Sequence, residues 1–414
     1  MSSSGSPSGH GFVLGLNEGT LALVATGILL FAAAFWCAGG PNVEKTDFSL
    51  TYVGARIVHQ GLGSRLYDVS LQKQVRDSLF EHPSPLFFEH PPFEALIFSP
   101  IAALPFRKAY TIWALFNAAL WLLLIFFPRR QLQWPKEDLG YICLWLLFAP
   151  LGVTLYQGQS SLVLLGLYAV TFVCLKRSQD FTGGLALGFG LFKFQFVLPF
   201  VLIFVLRRKW KFLGGFAISA LMVGLLSLLT VGGPGLINYA RFILAIGSNP
   251  QNESYGSAVD MPTLYGLTYA ILGHAISHTG FSVVVTLLSV LLLGFVAWRW
   301  NWVREDSFNL MFSAAIAASL AASAHMFTHD FSPLVLPMFL VGAQLSGPKF
   351  HFSERAAMRV ALILLWSFPI YFVFVAWHRM YVISLLLLTF VFAALRAAGV
   401  VKPGKQESRQ TVIA

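Results

Sequence analysis

The chain has 414 residues, of which 57% are hydrophobic and only 11% charged, where soluble globular proteins carry roughly 25% charged residues. A water-soluble globule is excluded because too little polar surface exists to cover one, and an integral membrane protein is implied. The formal charge of +10 then reads as Lys and Arg in short loops that set topology, not as a nucleic-acid surface.

The N-terminal stretch MSSSGSPSGHGF is Ser/Gly-rich, and residues 1–19 have the composition of a disordered segment. It lacks the basic region and small-residue cleavage site of a signal peptide, so residues 20–38 are expected to form a retained first span. Then EKTDFSLTYVGARIVHQGLGSRLYD, residues 44–68, interrupts the apolar text. Its TDFSLTYVGARIV portion reads as an amphipathic helix starting after Thr46 or Asp47. Further spans are expected at about 91–105, 109–127, 139–156, 160–176, 182–206, 211–231, 281–300, 307–324, 331–346, 357–376 and 380–397, about twelve in all with the first. The intervals 39–90 and 232–280 are too long for tight turns. Their short apolar pieces, such as PTLYGLTYAILGHA, suit juxtamembrane helices. The expected architecture is an all-α polytopic membrane domain over 20–400, with two long outer loops and a polar tail at 401–414. Cys37, Cys143 and Cys174 show no metal or disulfide spacing and read as small buried hydrophobes. Asn252-Glu253-Ser254 matches a glycosylation acceptor, a three-residue pattern that arises often by chance.

Orientation follows the basic clusters. With twelve spans, RRKWK at 207–211, RWNWVRE at 299–305, KFHFSERAAMR at 349–359, the tail, the N-terminus and Arg107–Lys108 fall on one side, the expected cytoplasm. Both long loops and HMFTHD at 325–330 then face outward. Arg129–Arg130 and Lys176–Arg177 disagree with that count. An alternative makes 91–105 a half-span and 182–206 a re-entrant pair broken near Lys193, which swaps spans three to six and leaves both loops outside.

Ionisable groups near membrane depth are costly and tend to be functional, which singles out Asp47, His90, Glu94, His325, His329 and Asp330 on the outer side. Each has a plainer reading. Asp47 suits a helix cap, His90 a turn before Pro91-Pro92, and Glu94 a first-turn charge near a helix dipole. His325 and His329, four apart, would share a helical face and could form a metal pair. No third ligand stands at a recognisable spacing, so no metal site is assigned. Lys193 lies deep in an apolar segment, about twelve residues from either end, which weakens a snorkelling role.

Several stretches in order carry a resemblance: TDFSLTYVGARIVHQGLGSRLYD; HPPFEALIFSPIAALPFRKAYTIWALFN; YQGQSSLVLLGL; GGLALGFGLFKFQFVLPFVLIFVLRRKW; and SAHMFTHDFSPLVLP. Together, over roughly 300 residues, they resemble the GT-C superfamily of polytopic glycosyltransferases and within it family 87, whose members use polyprenyl-phosphate sugars. Two departures stand out. His90 precedes the Pro-Pro pair where an aromatic is common, and Lys193 is followed by Phe194-Gln195 in place of a proline. The resemblance implies a GT-C-type fold and transfer of a hexose, by analogy mannose, from a polyprenyl-phosphate carrier to a glycan or glycolipid acceptor. It places the protein in a bacterial inner membrane with its site facing outward, without a cofactor and without nucleic acid. It also implies that Asp47, on the first outer loop, is the catalytic base.

Elementary chemistry agrees with one carboxylate. Glycosidases need a second carboxyl to protonate a poor leaving group. A lipid phosphate already leaves well, so a single base that deprotonates the acceptor hydroxyl suffices. The phosphate charge still needs cationic or hydrogen-bonding partners, and Lys193, His325 and His329 are the first candidates, with His90, Glu94 and Asp330 beside them. The rival expectation is a secondary transporter or lipid-linked sugar flippase, which would place charges at the midplane of repeated halves; no repeat is visible.

Overall fold

The computed structural model describes residues 41–132, 145, 148–247, 257–273, 275–303, 305–345 and 351–399. The segment 1–19, the expected first span 20–38, the tail 401–414, Cys37, Cys143 and the Asn252 acceptor pattern lie outside the described residues. Among those described, the regular structure is helical throughout. Five helices are long and apolar enough to cross a membrane, or six if a pair bent by 71° counts as one span. The chain is therefore a multi-pass integral membrane protein, but twelve full-length spans are not what its helices show.

The polar interruption folds as two short helices, α1 (Asp47–His59) and α2 (Val69–Leu79). Asp68 caps α2 by accepting from the Ser70 and Leu71 amides, which satisfies two of the donors left open at a helix start. The segment has an apolar core of its own. Phe48 is 1% exposed, and its ring packs against those of Tyr52, Phe98, Phe106 and Tyr110.

The expected span 91–105 is not one. It breaks into α3 (Pro92–Phe98), a bend at Ser99–Pro100 and a 3-10 turn at Ile101–Ala103. Seven residues reach only about 10 Å, because Pro91-Pro92 and Pro100 interrupt the backbone ladder on both sides. The chain then enters α4 (Phe106–Leu132). Since Phe106 packs on Phe48 and Tyr52, Arg107–Lys108 begin this helix beside the α1 segment, away from the other basic clusters. That corrects their expected grouping.

After α5 (Ala149–Gln157) and α6 (Ser161–Lys176), the stretch Asp180–Leu206 has the length and apolarity of one span of 27 residues. Straight, it would be about 40 Å long. Yet Asp180 and Arg207, at its two ends, line the same cavity. The stretch folds back: α7 (Asp180–Gly188) runs inward, a 3-10 turn covers Phe189–Lys193, and α8 (Phe194–Leu206) returns. Lys193 has φ −118° and ψ 56°, outside the helical region, at the tip of the fold-back. This matches the re-entrant alternative, not the single span.

Next, α9 (Trp210–Gly247) runs the length of the molecule and bends at Gly232, whose φ is 72°. Its first turns lie against α7 with backbones in contact. A Cβ on Gly184 would sit 1.9 Å from the Phe212 carbonyl oxygen, and one on Gly215 1.9 Å from that of Phe181. Small residues at a helix seam are the usual device where lipid gives helices no hydrophobic reason to associate. Then come α10 (Leu264–Leu272), α11 (His278–Asn301) and α12 (Phe308–Ala321). Every residue from Leu310 to Ala321 is buried, so α12 is apolar on all sides because it is surrounded on all sides. A 3-10 segment, Thr328–Leu334, leads into α13 (Val335–Gly342). The bent pair α14 (Phe352–Trp366) and α15 (Phe368–Ala376), with Pro369 in the first turn of α15, is followed by α16 (Ile383–Ala397).

The molecule thus has two distinct ends. Asp47, Gln159, Lys193 and Asp330 meet at one. Lys176, Arg207, Lys209 and Lys211 converge at the other. The α4 helix runs beside α6 in the same direction, with Trp113 bonded to the Gly158 carbonyl and Leu120 and Leu124 nearest Gly166. Its last turn, which includes positions 129–130, therefore points to the basic end. The disagreement of Arg129–Arg130 and Lys176–Arg177 with the other basic clusters disappears.

Candidate active site

Asp47 is the first residue of α1. Its carboxylate does not cap that helix. Instead Gln159 Nε2 donates to Asp47 Oδ2 at 2.8 Å, and the Asp47 amide donates to Gln157 Oε1 at 3.1 Å. The turn that supplies both glutamines is held by Gly158, in the left-handed region with φ 65°. A Cβ there would lie 2.7 Å from the Phe48 Cβ, so both conformation and space demand glycine. Phe48 and Gly158 in contact are what set Asp47 against Gln159.

The same glutamine reaches Lys193. Lys193 Nζ donates to Gln159 Oε1 at 3.1 Å and to Asp330 Oδ1 at 2.6 Å. One amide thus gives its N–H to a carboxylate and its oxygen to an ammonium, an orientation that satisfies both. Lys193 and Asp330 side chains are 4% and 2% exposed. Asp330 also accepts from Ser161 Oγ at 3.3 Å and from the Phe327 amide at 3.0 Å. Burial pushes the Asp330 carboxyl up, but the neighbouring His329 and Lys193 charges and bonds outweigh it and hold the group well below the usual carboxylate range.

His329 bridges the two acids. Its Nε2 lies 3.3 Å from Asp330 Oδ2, and its Nδ1 lies 3.7 Å from Asp47 Oδ2. The second distance is too long for a hydrogen bond and becomes an ion pair when the ring is protonated. His325 stands apart from this arrangement. It lies in irregular chain after α12, whereas His329 is in the 3-10 segment. The two therefore do not share a helical face, because Ser323 bonds the His325 carbonyl and amide and stops the helix there. The His325 ring is 4.0 Å from Glu89 Oε1 and partly exposed.

A second polar group adjoins the first through the next residue of the same turn. Ser160 Oγ donates to Glu94 Oε1 at 2.8 Å, and His90 Nδ1 lies 2.6 Å from Glu94 Oε2. Tyr67 OH donates to the His90 carbonyl at 2.7 Å. Burial draws His90 down, but Glu94 more than offsets it and leaves the imidazole raised above its ordinary value of 6.5. Glu94 does sit in the first turn of α3, yet it is 3% exposed and paired, not a surface charge at a helix end.

Lys193, His329 and Asp330 are therefore joined directly, Asp47 is joined to Lys193 through Gln159, and Glu94 with His90 is attached through Ser160, the next residue of the same turn. Sequence reasoning missed the connecting residues, Gln157, Gln159, Ser160 and Ser161. Their signal was the YQGQSS stretch itself, four polar side chains wedged between two apolar segments where unpaired polar groups are expensive. Among the described residues, no group of three or more His, Cys, Asp or Glu is arranged to hold a metal ion.

No curated protein and no solved structure matches the chain. The model of glycosyltransferase family 87 matches residues 87–328. That is more than half of the chain, and it contains His90, Glu94, the YQGQSS turn, Lys193 and His325. His329 and Asp330 lie just past its end, and Asp47 lies well before its start. The transporter and flippase expectation is set aside by this match, and the chain belongs to glycosyltransferase family 87 as a membrane glycosyltransferase.

Proposed function

We propose that the protein transfers a hexose, mannose by family analogy, from a polyprenyl-phosphate donor to a glycan or glycolipid acceptor on the outer face of the membrane, with Asp47 as general base. The observation that carries this reading is the contrast between its two acids. Asp330 is buried and bonded through both oxygens. Asp47 is 23% exposed and is held through Oδ2 alone, since no described residue bonds its Oδ1. A base must accept a proton from substrate, so it needs one oxygen fixed and one open.

In this mechanism the acceptor hydroxyl approaches Asp47 Oδ1. The carboxylate removes its proton as the oxygen attacks C1 of the donor sugar, and the bond from C1 to the lipid phosphate breaks. The leaving phosphate carries its own negative charge away and needs no acid. Gln159 orients the carboxylate. Lys193, committed to Asp330 and Gln159, serves as the internal counter-charge that keeps this frame in place. His325, the partly exposed imidazole, and His329 are the groups assigned to the donor phosphate, as hydrogen-bond donors that strengthen on protonation.

The outward orientation is supported by the gathering of basic clusters at the end opposite Asp47. From α4 to α9 the helices alternate in direction between the two ends, and α11, α12, α13, the bent pair α14–α15 and α16 continue the alternation. Several of these passes are shorter than a full span. The experiment is Asp47→Asn, assayed for sugar transfer from a polyprenyl-phosphate donor after purification. The variant should elute and melt like the wild type yet lose transfer, because an amide cannot take the proton. Wild-type turnover would refute the assignment.

A further inference from the structure

Far from Asp47, at the basic end, is a cavity of about 730 Å³. Three separate segments build it: the end of α6, the α8–α9 turn and the α11–α12 connection. Its charged lining comprises Lys176, Arg207, Lys209 and Lys211, with Asp180 and Asp306 on the same walls, so cations outnumber carboxylates. Among the described residues none of the four cations has a carboxylate at ion-pair distance. Arg207 is seated on an aromatic floor. Its guanidinium lies 4.1 Å from the Trp300 ring centroid and 5.8 Å from that of Phe204. Its Nε donates to Asn301 Oδ1 at 3.2 Å, and no described residue bonds its terminal nitrogens.

Topology accounts for lysines in loops. It does not account for cations from two segments converging on one aromatic-floored cavity. A fixed guanidinium with terminal N–H groups unspent, flanked by exposed ammonium groups, has the chemistry of a phosphate receptor. Beside it, Val205, Leu206, Trp298 and Trp302 present exposed apolar side chains at the end of the returning helix α8 and of the membrane-length α11. A soluble anion has no use for that surface, whereas a lipid tail does. We propose that this cavity binds the phosphate of an anionic lipid headgroup, with the acyl chains lying along the exposed apolar ends of α8 and α11. The inference does not depend on the role of Asp47.

The test uses full-length protein stripped of lipid in a neutral detergent. Phosphatidylglycerol and phosphatidylcholine are titrated in and followed by native mass spectrometry; inorganic phosphate is titrated by calorimetry. The variant Lys176→Gln/Lys209→Gln/Lys211→Gln alters only exposed side chains, so its elution profile should be unchanged. Phosphatidylglycerol should bind the wild type more tightly than phosphatidylcholine. The triple variant should lose about fivefold per lysine, on the order of 100-fold together, as expected for basic residues at an anionic lipid surface. Equal affinity of wild type and variant for phosphatidylglycerol would overturn the site. Inorganic phosphate binding as tightly as the lipid would overturn the lipid assignment and leave a free anion as the ligand.

Discussion

Lys193→Met is the substitution that separates a counter-charge from a donor ligand. Lys193 Nζ is 2.6 Å from Asp330 Oδ1, and both side chains are almost wholly buried. Methionine keeps most of the volume and removes the charge. Asp330 would then be a buried carboxylate with its ammonium partner gone, a situation that typically costs about 3–5 kcal/mol. Part of that is recovered if Asp330 takes up a proton, and His329 Nε2 at 3.3 Å offers partial compensation, so the lower end of the range is the expected loss. Lys193→Met/Asp330→Asn should regain most of it. The amide still accepts from the Phe327 amide, and removing both charges of a buried pair is often near neutral. The assay is thermal unfolding of the purified protein in detergent, read beside transfer kinetics at varied donor concentration. A single variant that melts like the wild type while its KM for donor rises would refute the reasoning, since Lys193 would then be spending its charge on the substrate phosphate.

Gly158→Ala should destabilise by about 2–5 kcal/mol, the sum of a left-handed backbone penalty and an overpacked contact with Phe48, and should reduce transfer beyond its loss of folded protein; a stable and fully active variant would show that the glutamine turn does not set Asp47. The His90–Glu94 pair has a folded imidazole pKa raised above 6.5. Its contribution is therefore fully present below the unfolded value and lost as pH rises through the raised folded one. Wild-type melting should decline across that window more steeply than that of His90→Gln, and parallel curves would remove the pair from the account. In a cysteine-free background, Lys73→Cys should label with an impermeant thiol reagent in intact cells while Lys209→Cys should not. Labelling of position 209 from outside would reverse the assigned face.

Much of this protein was legible without coordinates. Low charge and long apolar runs require a membrane protein, because hydropathy and the need to satisfy backbone groups inside lipid act locally along the chain. Asp47 could be singled out because a polar segment beginning at an acid is anomalous between apolar runs, and the ordered motifs carried the family resemblance. What depended on tertiary structure is how the apolar text is divided and what the polar groups touch. The stretch 182–206 reads either as one span or as a re-entrant pair broken near Lys193, because hydropathy does not register direction; the convergence of Asp180 and Arg207 on one cavity decides for the fold-back that sets Lys193 at its tip. Likewise the spacing of His325 and His329 suggested one helical face, and a serine bond to the backbone decided otherwise. Gln159 could not be chosen from sequence because its role is relational. It matters only where an acid from residue 47, an ammonium from residue 193 and a carboxylate from residue 330 come within reach of one amide, and those long-range distances are set by packing, not by local pattern.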